Sequence, residues 1–379
     1  MDFSTACIHL TDKKVNPMGA ISVPIYQTAT FSHPGVGMST GYDYSRTQNP
    51  TREQLEQMLA QLEGAADALA FSSGMAAVTT LMELFSPGDH IIASDDLYGG
   101  SLRLFEHISR KNGIAIDYVD TSCLELVEQS LTASTKAIFV ETPTNPMMQV
   151  TDIAAVARLI ADKGILLIVD NTFLTPLFMR PLSLGADIVL HSGTKYLGGH
   201  NDTLAGFLAV KDSALAEQLR FIYKTTGACL SPFDSWLILR GIKTLPVRME
   251  RQQETAKTIA EWLTAHKKVR AVHYVGLPSH PGYEVSCRQA SGFGAMISFE
   301  TDTAETARHL LENVRIIQYA ESLGGVESLI TYPMLQTHAD VPAEIREQKG
   351  ITDRLVRLSV GLESAADLIS DLENGLKGL

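Results

Sequence analysis

The sequence predicts an α/β protein: a mostly parallel, doubly wound sheet followed by a smaller α/β C-terminal domain. Three observations predict it. Short apolar runs at 68–71, 90–93, 115–119, 137–140, 165–169, 188–190 and 206–210 suit buried strands and are too short for helices. Amphipathic stretches such as 153–163 alternate with them, which is the pattern of β–α–β units. After a long helical stretch from 232 to about 265, the chain mixes strand-like segments at 295–299 and 355–360 with further helices. A chain of 379 residues is long enough for two domains and a large core.

Taken in order, residues 1–50 are rich in Pro, Gly, Ser, Thr and Tyr and show little periodicity, so they read as an extended arm. Thr51 is placed to cap a helix whose Leu55, Met58, Leu59 and Leu62 fall at helical spacing. The strand–helix alternation then runs to about residue 211. The helical stretch from 232 breaks near Pro246 and leads into the C-terminal domain, whose last helix has Ser364 as its expected cap. The expected organisation is an arm over 1–50, a large domain over 51–245 and a C-terminal domain over 246–379.

Composition narrows the function. The chain is 45% hydrophobic and 20% charged, with a formal net charge of -12. Nucleic acids and anionic membranes both need a basic face, so neither is an expected partner. Cys7, Cys123, Cys229 and Cys287 are far apart and form no CxxC pair, which suits isolated thiols in a reducing cytoplasm. The N-terminal stretch lacks a basic segment followed by an apolar one, and no apolar run approaches the roughly 20 residues of a membrane helix. A cytoplasmic protein is expected. His191, His200 and His338 show no metal-ligand spacing, so no metal site is expected.

In an open parallel sheet, ligands bind beyond the carboxyl ends of the strands. Several expected strands here end in chemically useful residues. The run at 188–190 leads into His191-Ser192-Gly193-Thr194-Lys195-Tyr196, and the run at 165–169 ends in Asp170-Asn171. A lysine and a carboxylate at the exits of buried strands are what a pyridoxal 5'-phosphate site requires. The lysine holds the cofactor aldehyde as an imine, and the carboxylate keeps the pyridine nitrogen protonated. Ser73-Gly74-Met75 opens a helix after a strand, where free N–H groups favour a phosphate. Ser192 and Thr194 add hydroxyls for the same group. Asn145, between two prolines, can donate to the cofactor's phenolic oxygen. Arg357 lies in an apolar strand and must find an anion there, either a substrate carboxylate or a structural partner.

Each of these residues also has an ordinary reading: a surface lysine in a turn, a turn aspartate, a plain helix cap. Tyr98 stays open between a core aromatic with a satisfied hydroxyl and a ring stacked on the cofactor, its hydroxyl a proton donor to a leaving group. Ser192-Gly193-Thr194-Lys195 also matches the S-x-x-K of serine acyl-enzymes, but the sequence contains neither of the companion triplets S-D-N and K-T-G. A non-catalytic scaffold would not need the whole cofactor set. An aminotransferase on the same fold would leave a substrate's C–S bond intact.

Over nearly its whole length the chain resembles the Cys/Met-metabolism (trans-sulfuration) family of fold-type I pyridoxal-phosphate enzymes. The resemblance rests on Tyr44-Ser45-Arg46, Asn49-Pro50-Thr51-Arg52, the run from Ser72 to Ala77, Glu141-Thr142-Pro143-Thr144-Asn145-Pro146, Val169-Asp170-Asn171-Thr172, Ser192-Gly193-Thr194-Lys195-Tyr196, Glu321-Ser322-Leu323-Gly324-Gly325 and Arg357-Leu358-Ser359-Val360-Gly361. It implies that Lys195 carries the cofactor and moves protons. Asp170 would meet the ring nitrogen, Tyr98 would stack on the ring, and Gly74, Met75, Ser192 and Thr194 would hold the phosphate. Asn145, Ser322 and Arg357 would hold the substrate carboxylate region. Tyr44 and Arg46 would reach the phosphate in a neighbouring subunit, so the expected assembly is a homotetramer built as a dimer of dimers with shared sites. Glu321 resembles the acidic residue that meets the distal ammonium of cystathionine in γ-synthases and γ-lyases. Gly100 stands where methionine γ-lyases carry a cysteine. The expected activity is γ-elimination or γ-replacement on cystathionine or an O-acylhomoserine, with cystathionine β-lyase as the alternative.

Overall fold

The computed structural model describes residues 1–11, 18–339 and 341–377. Residues 12–17 of the expected arm lie outside the described residues.

Every apolar run named above becomes a strand of one seven-stranded sheet. The strands are β1 (Asp67–Phe71), β2 (His90–Ser94), β3 (Ala115–Val119), β4 (Thr135–Glu141), β5 (Leu166–Asp170), β6 (Ile188–Ser192) and β7 (Gly206–Val210), in the order β1-β7-β6-β5-β4-β2-β3. The pairings from β6 through β3 are parallel, whereas β7 is antiparallel to both β6 and β1. With β7 reversed between them, β1 and β6 run in the same direction. The carboxyl ends of β1, β2, β4, β5 and β6 therefore open on one edge.

The strands read as unbroken apolar runs because both faces are covered. Within β5, Leu167 and Val169 pack into one layer and Ile168 into the other; within β6, Val189 faces the first layer and Ile188 and Leu190 the second. Helices Pro50–Glu63, Ile153–Leu159 and Pro232–Ile242 cover the first face. Helices Gly74–Met82 and Ser213–Thr226 cover the second. Each fully buried Leu, Ile or Phe contributes roughly 1.5–3 kcal/mol.

A second, five-stranded sheet is formed by β8 (Val269–His273), β9 (Met296–Thr301), β10 (Gln318–Tyr319), β11 (Leu329–Thr331) and β12 (Leu355–Ser359), in the order β10-β11-β12-β9-β8. Helix Leu245–Ala265 packs against it. The break in the long helical stretch falls at Lys243 and Thr244, with Pro246 in the first turn of the following helix.

Two expected caps differ. The helix of the arm junction begins at Pro50, and Asn49 caps it by accepting from the N–H groups of Thr51 (3.0 Å) and Arg52 (3.5 Å). Proline at the first helical position lacks the N–H and has its φ already set, so the cap falls at Asn49, two residues before the expected one. Thr51 instead ties down the arm: its hydroxyl donates to the Pro24 carbonyl and accepts from the Tyr26 N–H, each at 2.9 Å. Ser364 does precede the last helix, Ala365–Leu376, but its side chain makes no capping hydrogen bond. Among the described residues, no helix is long and apolar enough to cross a membrane.

Candidate active site

The strand exits enclose a cleft with about 1000 Å³ of empty space, including its mouth. Gly74, Met75, Tyr98, Asn145, Asp170, Ser192, Thr194, Lys195, Glu321, Ser322 and Arg357 all line it. Tyr44 and Arg46 do not. Tyr44 is largely exposed, and Arg46 lies 5.6 Å over its ring while donating to the Lys224 carbonyl.

One end of the cleft suits an anion. Helix Gly74–Met82 starts there, with Ser73 as N-cap accepting from the Ala76 N–H at 3.0 Å. This leaves the first N–H groups of the helix directed out of its end. β7 can approach this turn only because residue 206 is glycine: a Cβ there would lie 2.1 Å from the Ser73 carbonyl oxygen. Thr194 is fixed beside it, accepting from the Ala205 N–H at 3.1 Å. The hydroxyl of Ser192 has a 3.4 Å approach to the Cβ position of Gly74, which places it at the same turn.

The floor of the cleft carries Asp170, the last residue of β5. Its Oδ1 accepts from the N–H (3.0 Å) and the hydroxyl (2.6 Å) of Thr172, and the same hydroxyl accepts from the Ser192 N–H at 2.9 Å. Among the described residues no hydrogen bond reaches Oδ2, and Asp170 lines the cleft. Burial raises the Asp170 carboxyl above its usual range, and the hydrogen bonds from Thr172 oppose the shift. A cation beside Oδ2 would restore the charged form, and a protonated ring nitrogen is such a cation.

Lys195 follows β6. Its Nζ donates to Ser322 Oγ at 2.8 Å. Burial, with help from the nearby Arg357 cation, lowers this amine to about 8. Ser322 adopts φ 94°, in the left-handed region that disfavours side chains, and that conformation brings its hydroxyl to the lysine. Arg357, on β12, is 1% exposed; it donates to Asn145 Oδ1 (2.8 Å), the Ser322 carbonyl (3.0 Å) and Thr331 Oγ1 (3.1 Å). All three acceptors are uncharged. Among the described residues no carboxylate pairs with it, its Nε has no partner, and burial lowers it to about 10. A buried guanidinium in this state needs an anion.

Tyr98 stands at the rim, 42% exposed. Gly100 makes room for its ring, since a Cβ at 100 would lie 2.4 Å from the ring and 3.0 Å from the Met75 sulfur. Its backbone N–H donates to Glu141 Oε2 at 2.9 Å. The open choice for Tyr98 thus resolves against a core aromatic, because the ring borders the cleft. Glu321 is exposed and also lines an adjoining outer cavity with Asp202, Asp234 and Glu327.

Sequence reasoning assigned no role to Thr172, Glu141 or Asp96. Thr172 follows Asp170 by two residues, the spacing of a local side-chain clamp, and that was its available signal. Glu141 and Asp96 are acids at strand exits, the same signal that picked out Asp170.

The donor set fits pyridoxal phosphate: an anion-seeking turn, a carboxylate with a spare oxygen, a neutralisable amine and a bordering ring surround one space. Comparisons with known proteins agree. The model of the family described as Cys/Met metabolism PLP-dependent enzyme matches residues 4–377. A cystathionine γ-lyase of Bacillus subtilis (strain 168) is 49% identical over 361 residues, covering 95% of either chain. A cystathionine β-lyase of Lactococcus lactis subsp. cremoris (strain MG1363) is 48% identical over 367 residues, covering 97% of this chain and 96% of that one. The solved structure of a cystathionine γ-lyase from Lactobacillus plantarum complexed with L-serine superposes with a TM-score of 0.97 at 45% identity, covering 99% of this chain and 98% of that one.

Proposed function

We infer the reaction from one premise: the chain belongs to the Cys/Met metabolism family of pyridoxal-phosphate-dependent enzymes. It is a pyridoxal-phosphate enzyme of trans-sulfuration. Within that class we propose the cystathionine γ type, in which the bond between sulfur and Cγ of a homoserine-derived substrate is broken or remade. The observation that carries an amino-acid substrate is Arg357, a buried cation without a carboxylate, 2.8 Å from Asn145 and linked through Ser322 to the Lys195 amine. An α-carboxylate seated on Arg357 would bring Cα to Lys195. What favours the γ type is Glu321, which faces both the cleft and its outer chamber and can meet the distal ammonium of cystathionine. The alternative is cystathionine β-lyase, and the near-equal identities to a γ-lyase and a β-lyase keep it in play.

In this reading Gly74, Met75, Ser192 and Thr194 would hold the phosphate, Asp170 the ring nitrogen, Tyr98 the ring face and Lys195 the aldehyde carbon. Bound there, the cofactor supplies an electron sink for the bonds at the substrate's Cα. The protein moves the protons. Lys195, whose amine burial lowers to about 8, would take the proton from Cα as the base. Ser322 and Arg357 hold the substrate so that the proton faces the amine. For γ chemistry a second proton leaves Cβ before the sulfur departs. The Tyr98 hydroxyl returns a proton to that sulfur. Each general acid or base contributes roughly 10²–10⁴-fold.

Tyr44 and Arg46 lie outside their own chain's cleft, which supports an arm (1–50) that completes a neighbouring subunit's phosphate site. A homotetramer of two such dimers follows, with a cofactor domain over 51–245 and a C-terminal domain over 246–379, in the cytoplasm.

Product analysis decides the type. From cystathionine and water, the γ reading expects cysteine, 2-oxobutanoate and ammonia. Homocysteine, pyruvate and ammonia would establish the β-lyase. Cystathionine formed from an O-acylhomoserine plus cysteine would identify a γ-synthase. Lys195→Ala is expected to lose both the yellow absorbance and turnover; wild-type turnover in that variant would refute the assignment.

A further inference from the structure

Glu141 ends β4 and Asp170 ends β5, and the two residues are register partners in a parallel pair. Side chains in register on parallel strands leave the sheet on the same face, with strands roughly 4.8 Å apart. Both carboxyls line the cleft. Glu141 is 6% exposed. Asp170 is the residue our reading places on the ring nitrogen, so the inference rests on that reading. No role has yet fallen to Glu141.

The groups around Glu141 are mostly acidic. Asp170 stands beside it on β5, and Asp96 follows β2. Arg357 acts on it from β12 without forming an ion pair, and Tyr98 donates its backbone N–H to Oε2. Among the described residues, neither Glu141 nor Asp170 has a lysine or arginine as ion-pair partner; His191, itself bonded to Glu63, favours charge on Asp170, and the Asn145 backbone N–H opposes the rise at Glu141. Burial and the Asp170 charge together push the Glu141 carboxyl well above its ordinary range. Two adjacent buried carboxyls with no cation bonded to either favour holding one proton between them. When a protonated ring nitrogen settles against Asp170, the cation favours charge there, and the shared proton goes to the other oxygen pair.

We propose that Glu141 is a positioning residue that acts as a neutral acid: it anchors the Tyr98 backbone at the cleft rim and leaves the pair's single negative charge on Asp170. A charge on Glu141 would stabilise a cation away from the ring nitrogen and weaken the electron sink. A residue without a carbonyl oxygen at this place would free the Tyr98 backbone.

The test compares Glu141→Gln, which copies the neutral acid, with Glu141→Ala, which removes it. Glutamine is expected to recover at least about tenfold in kcat over alanine, the order of one hydrogen bond restored in a dry site. An amide as damaging as alanine overturns the proposal, because it means that the charge is required. The second readout needs no cofactor. A carboxyl pair whose folded proton affinity is raised stabilises the fold at low pH and loses that contribution as pH rises. The melting temperature of the wild-type apoprotein should therefore fall further than that of Glu141→Gln as pH rises from the ordinary carboxylate range upward. Equal falls overturn the proposal. Asp170→Asn, tested in parallel, separates the two levels: if it keeps normal colour and turnover, the reading of Asp170 itself fails.

Discussion

The chemistry at single residues rests on one contrast. Lys195 and Arg357 are cations in the same recess, but one sheds its proton near pH 8 and the other stays charged at neutral pH. With Lys195 lowered to about 8, its free amine fraction climbs as pH passes that value. Capture of pyridoxal phosphate by the apoprotein should accelerate from pH 6 to about 8 and level off above it, followed as the onset of yellow absorbance. A capture rate independent of pH would contradict a buried amine. Arg357 gives a different prediction. Arg357→Lys keeps the charge but cannot span Asn145, Ser322 and Thr331, so KM for cystathionine should rise about 10- to 100-fold while the cofactor band stays. At this scale the sequence revealed residues whose signal is local. Lys195 and Asp170 close apolar strands, and Arg357 interrupts one. The clamp of Thr172 on Asp170 had only its two-residue spacing as a signal, and the pairing of Glu141 with Asp170 was not legible, because it depends on strand register.

At the scale of elements, the site exists because different strands end at one edge. The strands were readable from apolar runs buried on both faces, and so was their alternation with helices. The reversal of β7 was not readable, since its apolar run looks like the parallel ones. That strand passes close to the Ser73 turn, and Gly206 permits it. Gly206→Ala should force the turn and β7 apart, at a cost of about 1–3 kcal/mol typical of overpacking. Thermal unfolding of the apoprotein reads the first effect, and a weakened dissociation constant for pyridoxal phosphate reads the second. A variant with unchanged cofactor affinity would show that the turn tolerates the methyl group. The cap at Asn49 rather than Thr51 has a similar lesson: the Asn-Pro pair carried the signal, and Thr51 was needed to fasten the arm.

At the scale of the whole molecule, the arm is the part least explained by its own chain. Its exposed Met18, Ile21, Val36 and Tyr44 suit a surface that another subunit covers. If Tyr44 and Arg46 act across subunits, two inactive variants should rescue each other. Co-refolded Lys195→Ala and Arg46→Ala chains would form hybrid dimers in which one site has an intact lysine and an intact arm. Random pairing in equal amounts predicts recovery of about a quarter of wild-type activity. No recovery on mixing, with dimers present by sedimentation, would place the arm in its own subunit.

The contact between Arg357 and Asn145 joins residues 212 positions apart in the chain. A growing polypeptide therefore cannot assemble its substrate anchor until synthesis is almost finished. Lysine, aspartate and the glycine turn emerge much earlier than the arginine.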